Sequence, residues 1–441
     1  MRTTWTDPKG GCRVSSHEAS ATIRAGAAAA QPASSRARQG GWAILLIVGL
    51  VTVGPFLLET GSDRELSTGG GDLLRQALYV AALAYVLISQ RVFYHPGKLR
   101  VLPLSLTLLL VWCLCSVAWA IDPGISLRRI TLTIIVIVTV FLAVEAAGTQ
   151  RALAVLRWSL AAILVLNYIM VLVSSSGVHT TAGFDPSLAG NWRGLMLHKN
   201  TAGVACAFTV LLWLFTGERG ATRWIVIAAA AFFLYQTQSK TSLGALGVSI
   251  VFGLIFAVLS ARPRLFAVLV GFVALMLAML AGQEYLGELS RYFSQPDAFT
   301  GRAQIWKFVW TYSMSNPVLG SGYGSFWDIG PASPIFQYTR NWVVFISTAH
   351  SGYLDVLAQI GLPGLLLALA AILIVPGWQL LTSRGWPRGT GAFLAGALTF
   401  CAVHNVTETS FLERDHVAWV LLAFVLAMIA TQHRLALREG H

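Results

Sequence analysis

The sequence predicts an all-α, polytopic integral membrane protein, and its composition is the first reason. Of its 441 residues, 56% are hydrophobic and only 11% are charged, whereas soluble domains carry about 25% charged residues. The apolar residues also form continuous runs near the length of about 20 residues that a membrane-spanning helix needs. A β-barrel would instead show alternating apolar and polar residues, so we expect helices.

Twelve apolar runs predict about twelve membrane-spanning helices within one membrane domain, residues 41–441. The run at 223–237 is the weakest of them because it is short. The predicted spans are 42–58, 73–90, 101–120, 129–147, 152–174, 200–216, 223–237, 240–260, 264–282, 350–378, 388–406 and 416–433.

Basic residues predict the orientation of these spans. Each connection on the predicted cytoplasmic side, from 91–100 to 379–388, contains at least two Lys or Arg residues, whereas the first outer connection, 59–72, is mostly polar and acidic. The positive-inside rule therefore places both termini in the cytoplasm. The same rule accounts for the net charge of +12, so that charge does not indicate a nucleic-acid partner.

The N-terminal residues 1–40 differ in composition from the rest of the chain. They are rich in Ala, Ser, Gly and Arg and contain no long apolar run, which predicts a disordered, basic cytoplasmic tail. The five cysteines of the whole chain show no CxxC spacing, so neither a disulfide framework nor a metal site is expected.

Two predicted outer segments, 174–200 and 283–349, are long enough to suggest a function. The second, between spans 9 and 10, is expected to be a large periplasmic loop. Its aromatic residues, among them Trp306, Trp310 and Trp327, argue against disorder. Residues 304–315 are predicted to form a short helix at the membrane surface.

Several cations stand on the predicted outer side, where the positive-inside rule does not favour them. Lys240 is the clearest case because two closely spaced spans flank it. Cations at this boundary would suit an anionic ligand such as a lipid-linked phosphate. Contact with lipid headgroups is the alternative. The outer cations are Arg193, Lys199, Lys240, Arg291, Arg302, Lys307 and Arg340.

Two polar motifs precede predicted spans. His198, Lys199 and Asn200 would either cap the helix that follows or bind an anion at its N-terminus. Residues 238–242 read QSKTS, which would form a simple tight turn or present a functional lysine at the membrane boundary.

Two further motifs lie in the second outer segment. Arg302 belongs to GRAQIW, and residues 320–324 read GSGYG, where the glycines would form a mobile turn or cradle a phosphate. His350 stands where the segment enters the next span, and it would either accept a proton or bond the helix start. Glu408 and Glu413 fall in another outer loop, so no row of acidic residues indicates a proton relay.

The order HKN, SKTS, GRxxIW and HSGYLDVLAQIG resembles the O-antigen ligase and Wzy-type polymerase superfamily, and most of all the ExoQ-type exopolysaccharide polymerases. The resemblance covers roughly residues 190–380. It implies a glycosyltransferase of the bacterial inner membrane that uses no metal or cofactor. Its donor would be an undecaprenyl-diphosphate-linked oligosaccharide on the periplasmic side.

The resemblance also implies roles for single residues. His350 matches the histidine proposed as the base in the ligases, and Arg302 matches a loop arginine that holds the diphosphate. Lys240 stands where the ligases have another arginine, and this departure favours a polymerase. The residues expected to contact the diphosphate are Lys240, Arg302, Arg193, His198, Lys199 and Asn200.

Three functions stay open at this point. The favoured one is polymerisation of lipid-linked repeat units into exopolysaccharide, with membrane lipids and a chain-length regulator as further partners. The second is transfer of the glycan to lipid A–core by an O-antigen ligase. The third is a polysaccharide flippase or other transporter, which should show polar or broken helices near the bilayer midplane.

Overall fold

A computed structural model describes residues 33–53, 73–180, 186–281, 301–338, 342–382 and 386–439, and it is all-helical over these ranges. Short helical turns and loops connect the main helices. The main helices are α1 (Ala33–Thr52), α2 (Leu73–Ser89), α3 (Leu104–Cys115), α4 (Pro123–Ala147), α5 (Thr149–Val173), α6 (Lys199–Thr216), α7 (Ala221–Gln236), α8 (Lys240–Val258), α9 (Ala261–Ala281), α10 (Arg302–Ser315), α11 (Gly352–Leu369), α12 (Val375–Thr382), α13 (Arg388–Thr407) and α14 (Val417–Glu439).

Seven candidate membrane spans are found among the described helices by length and hydropathy. They are α4, α5, α6, α8, the continuous pair α11–α12, α13 and α14, while α2, α3 and α7 belong to shorter apolar helices. The prediction of a helical, multi-pass membrane protein is therefore confirmed. Each of the twelve predicted spans overlaps a described helix, but the count of twelve stays a prediction.

The first helix begins earlier than the sequence predicted. Because α1 starts at Ala33, residues 33–40 of the expected disordered tail are helical. Residues 33–40 include Ala, Arg and Gln, which favour helix, so the helix extends from the apolar run back to Ala33. Gly40 lies against the backbone of Ala143 and Ala147 in α4, so this turn packs on the helix bundle. Residues 1–32 of the predicted tail, and the predicted outer connection 59–72, lie outside the described residues.

Helix α14 lies at the centre of the bundle. All residues from 417 to 430 are buried, which is the pattern of a helix that is apolar on every side and surrounded by other helices. Helices α4, α6 and α13 contribute many of the remaining core side chains, including Phe141, Phe208 and Phe400. The bundle therefore has a protein-filled core rather than a central pore in the described part of the chain.

Charged residues from the predicted cytoplasmic connections gather at one end of the bundle. Arg434 of α14 donates to Glu145 of α4 over 2.6 Å, and Arg36 of α1 donates to Gln90 over 2.9 Å. Lys98 also donates to the carbonyl of Gln90. The location of these residues at one end of the bundle agrees with the predicted alternation of the spans. Which side of the membrane this end faces stays a prediction.

Helix α11 is interrupted at Gly361, whose φ of 69° is non-helical. The backbone groups freed by this break are bonded by the protein itself. The indole N–H of Trp112 donates to the carbonyl of Ile360 over 3.0 Å, and the N–H of Leu362 donates to the carbonyl of Pro317 over 2.8 Å. The long segment before α11 therefore enters between the helices, where irregular backbone is tolerated because protein buries it.

The glycine-rich turn at 320–324 is packed rather than mobile, and this corrects the sequence interpretation. The N–H of Tyr323 donates to Ser116 Oγ over 2.9 Å, and the N–H of Gly324 donates to Gln359 Oε1 over 2.7 Å. Gly322 has a φ of 86° and lies directly against the backbone of Ala120. These N–H groups are already bonded, so they form no phosphate cradle.

Helix α10 confirms the predicted short helix, although its packing adds a second role. Ile305, Phe308 and Val309 are buried in a cluster with Phe326, whereas Trp310 on the opposite side is 52% exposed. One face thus anchors the outer segment to α11, and the other face remains available to a membrane surface. The predicted outer cations Arg291 and Arg340 lie outside the described residues.

The close approach at Gly322 predicts a loss of stability for Gly322→Ala. A methyl group there would meet the backbone of Ala120, and the positive φ disfavours L-residues by about 1–2 kcal/mol. We expect destabilisation of at least about 2 kcal/mol once overpacking is added, measured by thermal unfolding in detergent. Gly247→Ala in α8 is the matched control because a methyl group there meets no atom within 4 Å. Equal melting temperatures for the two variants would contradict the packing described here.

Candidate active site

The carboxylate of Glu408 joins three motifs that are far apart in the sequence. Glu408 follows α13 directly, and its side chain is only 10% exposed. Its Oε1 accepts a hydrogen bond from Asn200 Nδ2 over 2.6 Å and another from the Arg302 guanidinium. Its Oε2 lies 3.5 Å from His350 Nδ1. The structure therefore brings Arg302, His350 and Asn200 together around one acidic residue.

Asn405 holds the turn that carries Glu408. Its Oδ1 accepts from the N–H groups of Ser410 and Phe411 over 2.9 and 3.0 Å. Its Nδ2 donates back to the carbonyl of Cys401 over 2.8 Å. Because this amide is fully buried, it ties the residues after α13 to the last turn of the helix. Glu408 is thus fixed by the backbone as well as by its partners.

The surroundings keep Glu408 ionised. Burial opposes its charge, but the hydrogen bond with His350 and the positive charge of Arg302 outweigh burial and lower the pKa of Glu408 to about 2. A permanent carboxylate beside Nδ1 favours the tautomer in which Nδ1 carries the proton. The opposite ring nitrogen of His350, Nε2, is then left with a free lone pair. This is the geometry of a carboxylate–histidine pair in which the carboxylate orients the ring.

His198, rather than Asn200, caps helix α6. His198 Nδ1 accepts from the N–H of Asn200 over 3.2 Å, so the helix-capping alternative holds for the histidine. Burial is the main cause that lowers the pKa of His198 to about 4, and the ring is therefore neutral at pH 7. The side-chain amide of Asn200 remains available for Glu408. Lys199 follows the cap, and its N–H donates to His179 Nε2 over 3.2 Å.

The SKTS turn forms a wall of the same site. Ser242 Oγ lies 3.3 Å from His404 Nε2, and Thr241 Oγ1 lies 3.0 Å from Thr407 Oγ1. The turn therefore packs on the last turn of α13, immediately before Glu408. Lys240 itself is exposed at the start of α8. Its hydroxyl-bearing neighbours make the inward contacts.

Lys199 and Arg193 lie on the outer segment at 174–200 and brace the backbone. Lys199 Nζ is 3.4 Å from the carbonyl of Gln238, just before Lys240. Arg193 donates from Nε to the carbonyl of Ser176 over 2.8 Å and from its terminal nitrogen to that of Leu197 over 3.2 Å. Burial lowers the pKa of Arg193. These contacts do not bring Arg193 to Glu408, so its part in a diphosphate site stays a prediction.

Glu408 is the site residue that the sequence interpretation set aside. The sequence places it in a predicted outer loop, where it belongs to no row of acidic residues and to none of the four motifs. The sequence offers one signal, because Glu408 follows a predicted span on the same side of the membrane as the predicted outer cations. Its partners are 208, 106 and 58 positions away in sequence, so no local pattern indicated them.

Comparison with known families places part of the chain beside one family. Residues 204–369 match the family model described as O-antigen ligase. The match supports the O-antigen ligase/Wzy superfamily and, with the apolar helices, a multi-pass bacterial membrane protein that polymerises or ligates glycans. Lys240, Arg302 and His350 lie within the matched residues. No curated protein matches the chain.

The Glu408 site also extends beyond the matched residues. Asn200 precedes the match and Glu408 follows it. Among the described residues, no group of three or more His, Cys, Asp or Glu side chains gathers as metal ligands. The groups that meet at Glu408 are a histidine, an arginine and an amide.

The lowered pKa of Glu408 predicts a specific dependence of stability on pH. Its pKa moves from the ordinary value of 4.5 to about 2 in the folded protein, so its stabilising contribution is complete above pH 4.5 and is lost as the pH falls towards 2. The wild type should lose roughly 3 kcal/mol more than Glu408→Gln over this window. Denaturation in detergent at several pH values measures the difference. Parallel pH curves for the two proteins would contradict it.

Proposed function

We propose that the protein is a periplasm-facing glycosyltransferase that polymerises undecaprenyl-diphosphate-linked repeat units into exopolysaccharide. The observation that supports this most is the convergence of Arg302, His350 and Asn200 on the buried carboxylate of Glu408. The site lies at the end of the bundle opposite the Arg434–Glu145 pair. With the predicted topology, this end faces the periplasm of a bacterial inner membrane, and both termini are cytoplasmic.

His350 is the proposed base. Its Nε2 would take the proton from the acceptor hydroxyl while that oxygen attacks the anomeric carbon of the donor. Glu408 would stabilise the imidazolium that forms, as the carboxylate does in other carboxylate–histidine pairs. The bond from the anomeric carbon to the diphosphate oxygen breaks as the new glycosidic bond forms. Attack opposite the leaving group would invert the anomeric configuration.

Arg302 is the proposed diphosphate ligand. A guanidinium has five N–H donors, and the bond to Glu408 leaves others for phosphate oxygens. Positive charge at this position would stabilise the charge that develops on the departing undecaprenyl diphosphate. Lys240, Lys199 and Arg193 would contribute positive charge at the rim of the site, with His198 and Asn200 arranging the start of α6. Such a reaction needs neither a metal nor another cofactor.

The variants His350→Ala and Arg302→Ala test these roles. We expect each to reduce polymer formation about 10²-fold or more, because a general base and a preorganised cation each contribute on that scale. Arg302→Lys should retain an intermediate activity because lysine keeps the charge but not the planar donor set. Polymer length and amount in cells that lack the native protein provide the measurement.

Arg262→Ala is the matched control for these variants. Arg262 is an exposed arginine in the first turn of α9, in the predicted cytoplasmic connection 261–264, so its loss should leave polymer unchanged. Membrane insertion is checked for every variant by its abundance in the membrane fraction. Normal polymer in a well-inserted His350→Ala or Arg302→Ala variant would refute the proposed site.

Reconstitution separates the polymerase from the alternatives. Purified protein in liposomes, supplied only with lipid-linked repeat units, should produce longer lipid-linked chains. Elongation that appears only after lipid A–core is added would instead identify an O-antigen ligase. Movement of intact repeat units across the bilayer without any new glycosidic bond would identify a transporter. The ExoQ-type specificity and a chain-length regulator as partner are tested by adding that regulator and measuring the chain-length distribution.

A further inference from the structure

Asp355 is a buried acidic residue in the first turn of α11 that the proposed reaction does not yet use. Its side chain lies in the protein interior with 1% of the residue exposed. An unpaired charge in such a place is strongly unfavourable. The chain must therefore supply Asp355 with hydrogen-bond donors, and the identity of those donors indicates its role.

The donors to Asp355 come from three different segments. Trp327 Nε1 donates to Oδ1 over 2.6 Å, and the N–H of Ala349 donates to Oδ2 over 3.0 Å. The hydroxyl of Thr409 also donates to Oδ2. Asp355 therefore acts only as an acceptor, which is what a carboxylate does and what an Asn amide cannot fully reproduce.

Two of these donors are the sequence neighbours of the proposed catalytic pair. Ala349 precedes His350, and Thr409 follows Glu408. Thr409 Oγ1 in turn accepts from the N–H of Ser351 over 3.1 Å. One carboxylate thus fixes the backbone before His350, and through Thr409 it also reaches the backbone after it. The residue beside Glu408 is held by the same contacts.

His350 needs this support because its backbone is strained. Its φ is 49°, a left-handed conformation that costs a non-glycine residue about 1–2 kcal/mol. Such residues persist when the surrounding structure determines their conformation, and they are common at active sites. The N–H of Gly352 adds a bond of 3.0 Å to the carbonyl of Glu408. The segment around His350 and the segment around Glu408 are therefore joined by hydrogen bonds of both backbone and side chains.

We propose that Asp355 is a positioning residue that holds the His350 ring against the Glu408 carboxylate. Its contacts determine the backbone on both sides of the strained histidine, so the distance between Nδ1 and Oε2 depends on them. The catalytic consequence rests on the proposed function, since His350 acts there as the base. The geometric consequence does not, because it concerns only the packing of His350.

Chemical labelling of histidine tests the geometric consequence without any activity assay. Diethyl pyrocarbonate modifies accessible imidazoles, and mass spectrometry follows each histidine separately. In Asp355→Asn we expect His350 to react roughly tenfold faster than in the wild type, because buried hydrogen bonds that restrain its segment are lost. His95 is exposed near the opposite end of the bundle, and its rate serves as an internal reference.

Two further variants keep this test decisive. Thr409→Val removes only the hydroxyl that links Asp355 to Ser351, and it should also accelerate labelling of His350. Gln359→Leu is the matched control, because Gln359 is a buried polar residue one turn further along α11 that bonds Gly324 instead. It should lower thermal stability but leave the labelling rate of His350 unchanged. Equal acceleration of His350 labelling in Gln359→Leu would overturn the proposal. So would the absence of acceleration in both Asp355→Asn and Thr409→Val.

Steady-state kinetics, with kcat expressed per folded molecule, then test the catalytic consequence. Reconstituted Asp355→Asn should show a kcat reduced roughly 10²-fold, the scale of an ångström-sized misplacement, with KM for the lipid-linked donor nearly unchanged. A smaller folded fraction would not change the labelling rate of His350 in the folded protein. If labelling responds as expected but the wild type forms no polymer, the proposed function fails and the positioning role stands. A KM that rises while kcat is retained would count against positioning.

Discussion

The rest of the functional end of this protein depends on one buried ionic interaction, that of the Glu408 carboxylate. A charge removed from water is tolerated only when donors and opposite charge surround it, and here Arg302, Asn200 and His350 meet that need. These partners begin or precede α10, α6 and α11, so satisfying one carboxylate also fixes how the helices meet. The interaction that stabilises this end of the bundle therefore also forms the candidate site.

The segment between α9 and α11 supports this interaction from within the bundle. Its backbone fills the break in α11 at Gly361, and its N–H groups bond Ser116 and Gln359 rather than water. Irregular backbone among membrane helices needs such partners. Helix α10 packs near Ala358 of α11 and carries Arg302, and the segment ends at His350. Burial of its middle thus determines where Arg302 and His350 lie.

The family match and the geometry describe overlapping but unequal parts of the molecule. The matched residues, 204–369, contain Arg302 and His350 but neither Asn200 nor Glu408. A site assembled from the matched segment alone would lack the Glu408 carboxylate, which pairs with both Arg302 and His350. The described structure supplies that charge from the loop after α13. The proposed acid–base chemistry on an anionic, lipid-linked donor rests on this complete arrangement.

The sequence by itself determined the helical membrane fold, because continuous apolar runs and the placement of Lys and Arg reflect forces that act locally along the chain. It also indicated Arg302 and His350, whose motifs and outer position were visible without a structure. Only the tertiary structure identified Glu408 and Asp355 as the residues that join them, and showed that His198 caps α6 while Asn200 turns inward. Those assignments depend on contacts between segments up to 208 positions apart, and a contact at that separation is set by how helices pack, which no local pattern records.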